Sequence, residues 1–416
     1  MEAYTVEFLN MLGRWVHMIT GIAWIGASFY FVWLDNHLHA PVDDDLKEKG
    51  VGGELWSLHG GGFYNAQKYK VAPKKMPEVL HWFKWEAYTT WISGMFMLAL
   101  IYWYSAEIYL IDPSVADISK SAAVLMGAAT LGLGWLAYDY LCKSKIGQNQ
   151  NKLSAAVFAF TVIMAFFLTH VFSGRGAFIH FGAMLGTIMA ANVYFVIMPG
   201  QQALVDATNA GTIPDPKYAA TAKQRSVHNT YFTLPVLFVM ISNHYAGTYS
   251  SSWNWLILIM ISVAGALIRV YFVNCHFGTA SKKPLYAAGG LLFLVFIGMS
   301  PLTDSKPVVT PTLNKISAAP AAATAVASAS TGTFDRVHSI IKERCASCHA
   351  AKPTQAGFAA APKGILLETP ADIIKHAATI NQQSVLGKAM PIANLTKMTD
   401  EERAFIGQWY AAGAKQ

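Results

Sequence analysis

Apolar residues in this chain gather in blocks of roughly 20, the length that crosses a hydrocarbon core. Eight such blocks occupy 9–33, 80–104, 121–142, 153–173, 176–198, 229–249, 253–274 and 285–303. Inside lipid the backbone must satisfy its own hydrogen bonds, so each block predicts a helix. Together they predict an all-α, eight-helix transmembrane bundle over residues 1–303. Trp and Tyr gather at several block ends (Tyr102, Trp103 and Tyr104; Tyr249, Trp253 and Trp255), as interfacial belts do. The first block is too long for a cleavable signal peptide and has no basic segment ahead of it. Recurring pairs raise the option of two four-helix repeats: Tyr30-Phe31-Val32 matches Tyr194-Phe195-Val196, and Tyr138 with Cys142 matches Tyr271 with Cys275. Shared topology alone would produce such matches as well.

Charge sets the orientation. Loops 34–79, 143–152, 199–228 and 275–284 carry 6, 3, 3 and 2 Lys or Arg, whereas 105–120, 174–175 and 250–252 carry 1, 1 and 0. The basic set belongs on the cytoplasmic side, which puts both termini outside. For a bacterium that means a multi-pass protein of the inner membrane with periplasmic termini. Only 13% of residues are charged against 54% hydrophobic, about half the charge usual for a soluble chain. The net charge of +7 therefore reads as topology signal, with membrane lipid as the partner and no nucleic acid.

Composition changes after the last block. Residues 304–333 are rich in Ala, Ser, Thr and Pro and predict a flexible tether with a reach of roughly 30 Å. Residues 334–416 predict a small class I cytochrome c domain. Its mark is Cys345-Ala346-Ser347-Cys348-His349, the CxxCH arrangement in which two thiols attach a haem covalently and the histidine ligates the iron. A zinc site would want two further ligands, and only His338 and His376 are at hand in the tail. The sixth ligand is expected to be Met390, just before Pro391; such His/Met ligation raises the potential and suits an electron acceptor. Met398 is the competitor, but it lies beside Thr399 and Glu402, which predict a capping box and a packing role. Cys142 and Cys275 read as small buried fillers at cytoplasmic helix ends.

Ionisable residues inside membrane helices are costly and usually face a functional interior. The predicted orientation puts His17, His170, His180 and His244 at one level in the outer third, with glycines one turn from three of them. That suggests a b-type haem, or a metal, held by two to four of these histidines. Arg14 and Arg175 would then pair with its propionates. The ordinary alternative is interhelical or interfacial hydrogen bonding. At the inner face His81, Lys84 and Glu86 begin the second helix, Arg225 and His228 the sixth, and Arg269, Asn274 and His276 close the seventh. This group predicts a polar substrate site, although snorkelling of topological charges would look the same. The run Leu58-His59-Gly60-Gly61-Gly62-Phe63-Tyr64 is a candidate lid segment.

The stretch Gly13-Arg14-Trp15-Val16-His17-Met18-Ile19-Thr20-Gly21, the run His59 to Tyr64 and the fused CxxCH tail ending Met390-Pro391-Ile392-Ala393-Asn394 form a rare combination. Over essentially the whole chain it resembles the bacterial integral-membrane urate oxidases (urate hydroxylases) fused to cytochrome c. The resemblance implies oxidation of urate to 5-hydroxyisourate, with electrons leaving through haem c toward a terminal oxidase or soluble cytochrome c. Peroxide would then not be formed in the active site. The residues themselves, not the resemblance, offer Arg225 or Arg269 to hold the urate anion and His228 or Glu86 to serve as base, with His81 beside them at the same inner face. The rivals are a quinol or other small-molecule dehydrogenase of the same layout, and a non-enzymatic electron-transfer subunit.

Overall fold

A computed structural model describes residues 2–113, 115–275, 281–299, 326–355, 358, 361–386 and 388–416. The elements used below are α1 (Glu2–His37), β1 (Val51–His59), β2 (Gly62–Tyr69), α2 (Trp85–Met97), α3 (Ala106–Tyr109), α4 (Lys120–Lys143), α5 (Gln150–Thr169), α6 (Gly174–Asn209), α7 (Pro216–Ser242), α8 (Asn254–Cys275), α9 (Lys283–Gly298), α10 (Val326–Arg344) and α11 (Asp400–Ala411). Among the described residues five helices are long and apolar enough to cross a membrane: α1 from Thr5, α4, α5, α6 and α8; α9 is a shorter apolar helix. This is compatible with a multi-pass membrane protein. α1 leaves Met11, Trp15, Ile19 and Ile22 uncovered at helical spacing, a stripe that needs lipid or a partner against it.

Polar caps extend several helices beyond their apolar blocks. Asp215 accepts from the Lys217 N–H and Pro216 follows at the first helical position, so α7 begins three turns before its hydrophobic run. His228 is consequently a mid-helix residue, where the apolar onset alone puts it at a helix start. Ser119, Asn149 and Ser173 cap α4, α5 and α6 in the same way. α5 ends at Thr169, which makes His170 its C-terminal cap.

The main departure from an all-α reading is a β-hairpin. β1 and β2 pair antiparallel with His59 opposite Gly62, so Gly60 and Gly61 form a two-residue turn. Both have positive φ, +59° and +81°, as a type I′ turn requires. The glycine run is therefore the hairpin's tip, which accounts for its composition without a lid.

The bundle core lies where α4, α5, α6, α7 and α8 meet, around Tyr138, Phe178, Phe181, Met184 and Leu258. α1 packs on α2 as α6 packs on α7, the pairing a duplication would require. The halves otherwise differ: α7 packs broadly on α8, whereas α2 reaches α4 chiefly through its extension Leu98–Trp103.

Residues 304–325 of the expected tether lie outside the described residues; 326–333 form the start of α10. α10 and α11 cross over a second core containing Phe334, Ile341, Leu367, Met398 and Trp409. The capping box expected at the head of α11 is present, with Thr399 and Glu402 satisfying one another's backbone N–H groups.

Candidate functional site

Arg225 is almost fully enclosed at 1% exposure, and its charge is met inside the bundle. Its Nη2 donates to Asp139 Oδ1 at 2.8 Å, and its guanidinium lies 5.1 Å from the Tyr138 ring centroid. Nη1 reaches Asn192 Oδ1 at 3.4 Å, and Asn192 Nδ2 donates to Asn229 Oδ1 at 2.9 Å. His228 joins the same network through a 2.7 Å contact between its Nδ1 and the Tyr138 hydroxyl. Three helices, α4, α6 and α7, are thus tied by one polar chain, and each member is positioned by another. Arg269 is separate: its guanidinium stacks 4.0 Å over Phe29, with Nε and Nη2 buried and no hydrogen-bond partner for either among the described residues.

Beside this network a cavity of about 590 Å³ opens between α1, α2, α6 and α7. Its walls combine flat aromatic surface (Trp24, Phe31) with amides (Gln201, Asn229) and the pair His81 and Glu86. His81 Nε2 is 3.9 Å from Glu86 Oε1, while Glu86 Oε2 is buried with no hydrogen-bond partner among the described residues. His81 itself lies ahead of α2, whose first residue is Trp85. Neither Arg225 nor Arg269 lines the cavity; Arg225 stands behind Asn192 and Asn229. His276 lies outside the described residues.

A second, mainly apolar cavity of about 450 Å³ adjoins the first, and the two share Trp24, Ile25, Met189 and Thr233 in their walls. His17 and Arg14 line it. Of the four histidines assigned to this end, His170 and His244 are exposed and His180 is wholly buried. His180 Nδ1 donates to the Gly176 carbonyl at 2.9 Å, and Nε2 accepts from the Trp103 indole N–H at 3.1 Å. That pair fits against α4 only because residue 127 is glycine: a Cβ there would lie 2.7 Å from His180 Nε2. Among the described residues no three His, Cys, Asp or Glu side chains converge as a metal site. Arg175 is spent locally, with Nε donating to Asn243 Oδ1 at 3.0 Å and the Tyr102 hydroxyl at 3.2 Å.

The tail meets the bundle at this same end. α3 packs against the turn Ile392–Asn394, immediately after Met390 and Pro391. Tyr109, the last residue of α3, lies within electrostatic reach of Arg175, Tyr102, Arg14 and Cys348. Burial pushes its phenol above the usual value, and the two guanidinium groups oppose that rise. Within the tail, His349 Nδ1 donates to the Ile365 carbonyl at 2.9 Å. This fixes the tautomer and leaves Nε2 as the free ligand atom, the state an axial histidine needs. Burial pushes the Cys345 thiol up to about 12 and raises Cys348 as well. Met398 is 2% exposed within the core, whereas Met390 is half-buried. The Met390 loop is clamped by Arg403, which donates to the carbonyls of Ser384 and Met390 and to Asn394 Oδ1. The residues present fit a covalently attached haem, which Cys345, Cys348 and His349 would hold, with Met390 the candidate for the second iron ligand.

The family described as urate oxidase N-terminal matches residues 3–300. The chain belongs to that family. Membership places it among urate-related oxidoreductases, a class consistent with urate as substrate. The match ends near Met299, where α9 gives way to its C-cap, so the family covers the bundle and both cavities but not the CxxCH tail. No curated protein and no solved structure matches the chain.

Within this urate oxidase family member, several site residues are ones that attention to His and Arg alone passes over. Asp139, Asn192 and Asn229 interrupt apolar helices, which is a readable signal of interior polar contacts. Gln201 carries no such signal, because it lies in the polar extension of α6.

Proposed function

We propose that this chain is an eight-helix membrane urate oxidase. It converts urate to 5-hydroxyisourate in the larger cavity and passes the electrons to a haem c held by residues 334–416. The observation that carries the reading is the juxtaposition of parts: a urate oxidase family bundle is joined in one chain to a CxxCH-bearing tail whose Ile392–Asn394 turn packs on α3 and whose Cys348 lies within electrostatic reach of Tyr109.

The cavity chemistry suits urate. A planar purine presents ring faces to Trp24 and Phe31, and alternating N–H and C=O groups to the amides of Gln201 and Asn229. Hydroxylation adds the oxygen of water at C5 and releases two electrons and two protons. Glu86, with an unpartnered carboxylate oxygen and His81 next to it, takes a proton from urate or water as general base. Arg225 acts through Asn192 and Asn229, holding the amide wall in place and adding positive potential behind it. His228 is a positioning residue for Tyr138 in the same network. A haem c at His349 supplies a one-electron acceptor outside the bundle. In this reading the basic loops face the cytoplasm and the tail lies in the periplasm, where a terminal oxidase or soluble cytochrome c accepts the electrons.

The test is turnover without oxygen. Purified protein in detergent should consume urate anaerobically when ferric soluble cytochrome c is supplied, reducing two equivalents per urate, and should form no peroxide in air. Strict dependence on oxygen with stoichiometric peroxide would reject the reading.

A further inference from the structure

Urate releases its electrons as a pair, whereas an iron centre at His349 accepts one. The apolar 450 Å³ cavity lies between the proposed urate site and the tail, sharing a wall with the first and ending at Tyr102, which contacts Arg175 beside Tyr109. Its size falls in the range of about 300–1,000 Å³ typical of small-molecule and cofactor sites.

Among the described residues on its wall, His17 is the side chain prepared to bind a metal. The imidazole Nδ1 lies 3.0 Å from the Thr90 carbonyl, an acceptor only, so the proton sits on Nδ1. Ser93 Oγ is also 3.0 Å from Nδ1 and has its own backbone acceptors in the carbonyls of Thr89 at 2.7 Å and Thr90 at 3.0 Å. Nε2 is left with its lone pair and no hydrogen-bond partner among the described residues. A metal-binding histidine is held in the same manner by its second nitrogen. His180 offers the contrast, since both its nitrogens are engaged within the bundle.

The walls have room for a flat ring that helix packing does not demand. A Cβ added at Gly186 would meet no atom within 4 Å, and one at Gly21 only Thr90 Cγ2 at 4.0 Å. Both glycines line the cavity. Arg14, tethered to Asn10 at 2.7 Å, lies on the same lining and gives an exposed cation suited to carboxylate groups.

We propose that this cavity is the site of a non-covalent b-type haem, with His17 Nε2 as an axial ligand, Gly21 and Gly186 flanking the macrocycle and Arg14 near its propionates. Where the sequence suggests two to four ligating histidines, the proposal rests on one prepared histidine. The electron role rests on the urate reading, while the site itself does not. In that role, a haem at His17 would supply a second one-electron acceptor beside the one at His349, so the electron pair from urate would be divided between two ferric centres. The two protons leave by way of Glu86 and water.

Acid–acetone extraction of the whole purified protein separates the two groups, since only covalent haem stays with the polypeptide. One extractable haem per covalent haem is expected. His17→Ala should lose the extractable haem and keep the covalent one; Gly186→Leu, which fills the cavity and leaves His17 intact, should do the same. His170→Ala and His244→Ala should keep both. His17→Gly supplied with imidazole should regain extractable haem, which separates loss of a ligand from loss of the fold. Absence of extractable haem from the native protein would overturn the proposal, as would its retention in both His17→Ala and Gly186→Leu. So would recovery of a quinone in place of haem. Failure of urate to reduce the protein, with extractable haem present, would reject the substrate and leave the site standing.

Discussion

Replacing Arg403 by methionine keeps a straight apolar stem of similar reach and removes the guanidinium that clamps the Met390 loop. That guanidinium serves the carbonyls of Ser384 and Met390 and the Asn394 side chain. Hydrogen bonds involving an ionised partner contribute about 1.5–3 kcal/mol each. Arg403 is only 6% exposed, so part of that gain offsets the desolvation of its own charge. Met390 is half-buried, so its carbonyl regains water when the donor is gone. A net loss of about 2–4 kcal/mol remains, a large fraction of the roughly 5–15 kcal/mol that stabilises a small domain. With a urea slope of roughly 1–2 kcal/mol per molar, the unfolding midpoint should fall by about 1–4 M. The assay is urea titration of the whole protein, followed through the haem c absorbance and the fraction of iron bound by methionine. Arg336→Met is the control: that guanidinium stacks 4.3 Å over Phe405 at the surface, a contact contributing about 0.5–1 kcal/mol. Equal midpoints for the two variants, with methionine ligation intact in both, would refute a clamping role for Arg403.

Glu86→Gln should lower kcat/KM for urate by about 10²–10⁴-fold without changing haem c content, the range for loss of a general base. Asp139→Ala strands the Arg225 charge inside the bundle and should cost about 3–5 kcal/mol of thermal stability in detergent; the double variant Asp139→Ala with Arg225→Met should recover most of it. Tyr109→Ala should slow reduction of haem c by urate while leaving its reduction by dithionite unchanged, as rapid mixing would show. Glu402 carries a pH dependence: burial alone would raise its carboxyl, but the Arg344 fork, the Thr399 N–H and neighbouring guanidinium groups outweigh that and hold it below the ordinary value. A depressed folded value contributes fully above the unfolded value near pH 4.3 and is lost as pH falls through the folded one. Acid titration should therefore loosen the tail only below about pH 4, and Glu402→Gln should flatten that response.

Local chemistry was the readable part of this chain. The capping box at Thr399 and Glu402 needs only four consecutive residues, and the burial of Met398 follows from its place beside that cap. Helix starts were harder, because hydrophobicity marks where lipid begins and not where the helix does. The polar turns after Asp215 carry α7 well past its apolar block and bring Arg225 and His228 into the interior. The hairpin was also within reach, since Gly60-Gly61 between two short runs is a turn signal, but Val51-Gly52-Gly53 blurs the alternation that would have confirmed it. What sequence does not carry is partner choice. His17 and His180 look alike in their glycine-rich surroundings. They differ because one ring faces a carbonyl and open space, while the other lies between a carbonyl and an indole. That difference depends on helix packing, as does the Asp139–Arg225 pair, whose members are 86 residues apart.

The most direct test of the account is an optical spectrum of the purified, detergent-solubilised protein before and after anaerobic addition of urate. The account predicts that the reduced c-type band appears with urate alone and to the extent reached with dithionite. A haem c that dithionite reduces and urate leaves ferric would contradict it.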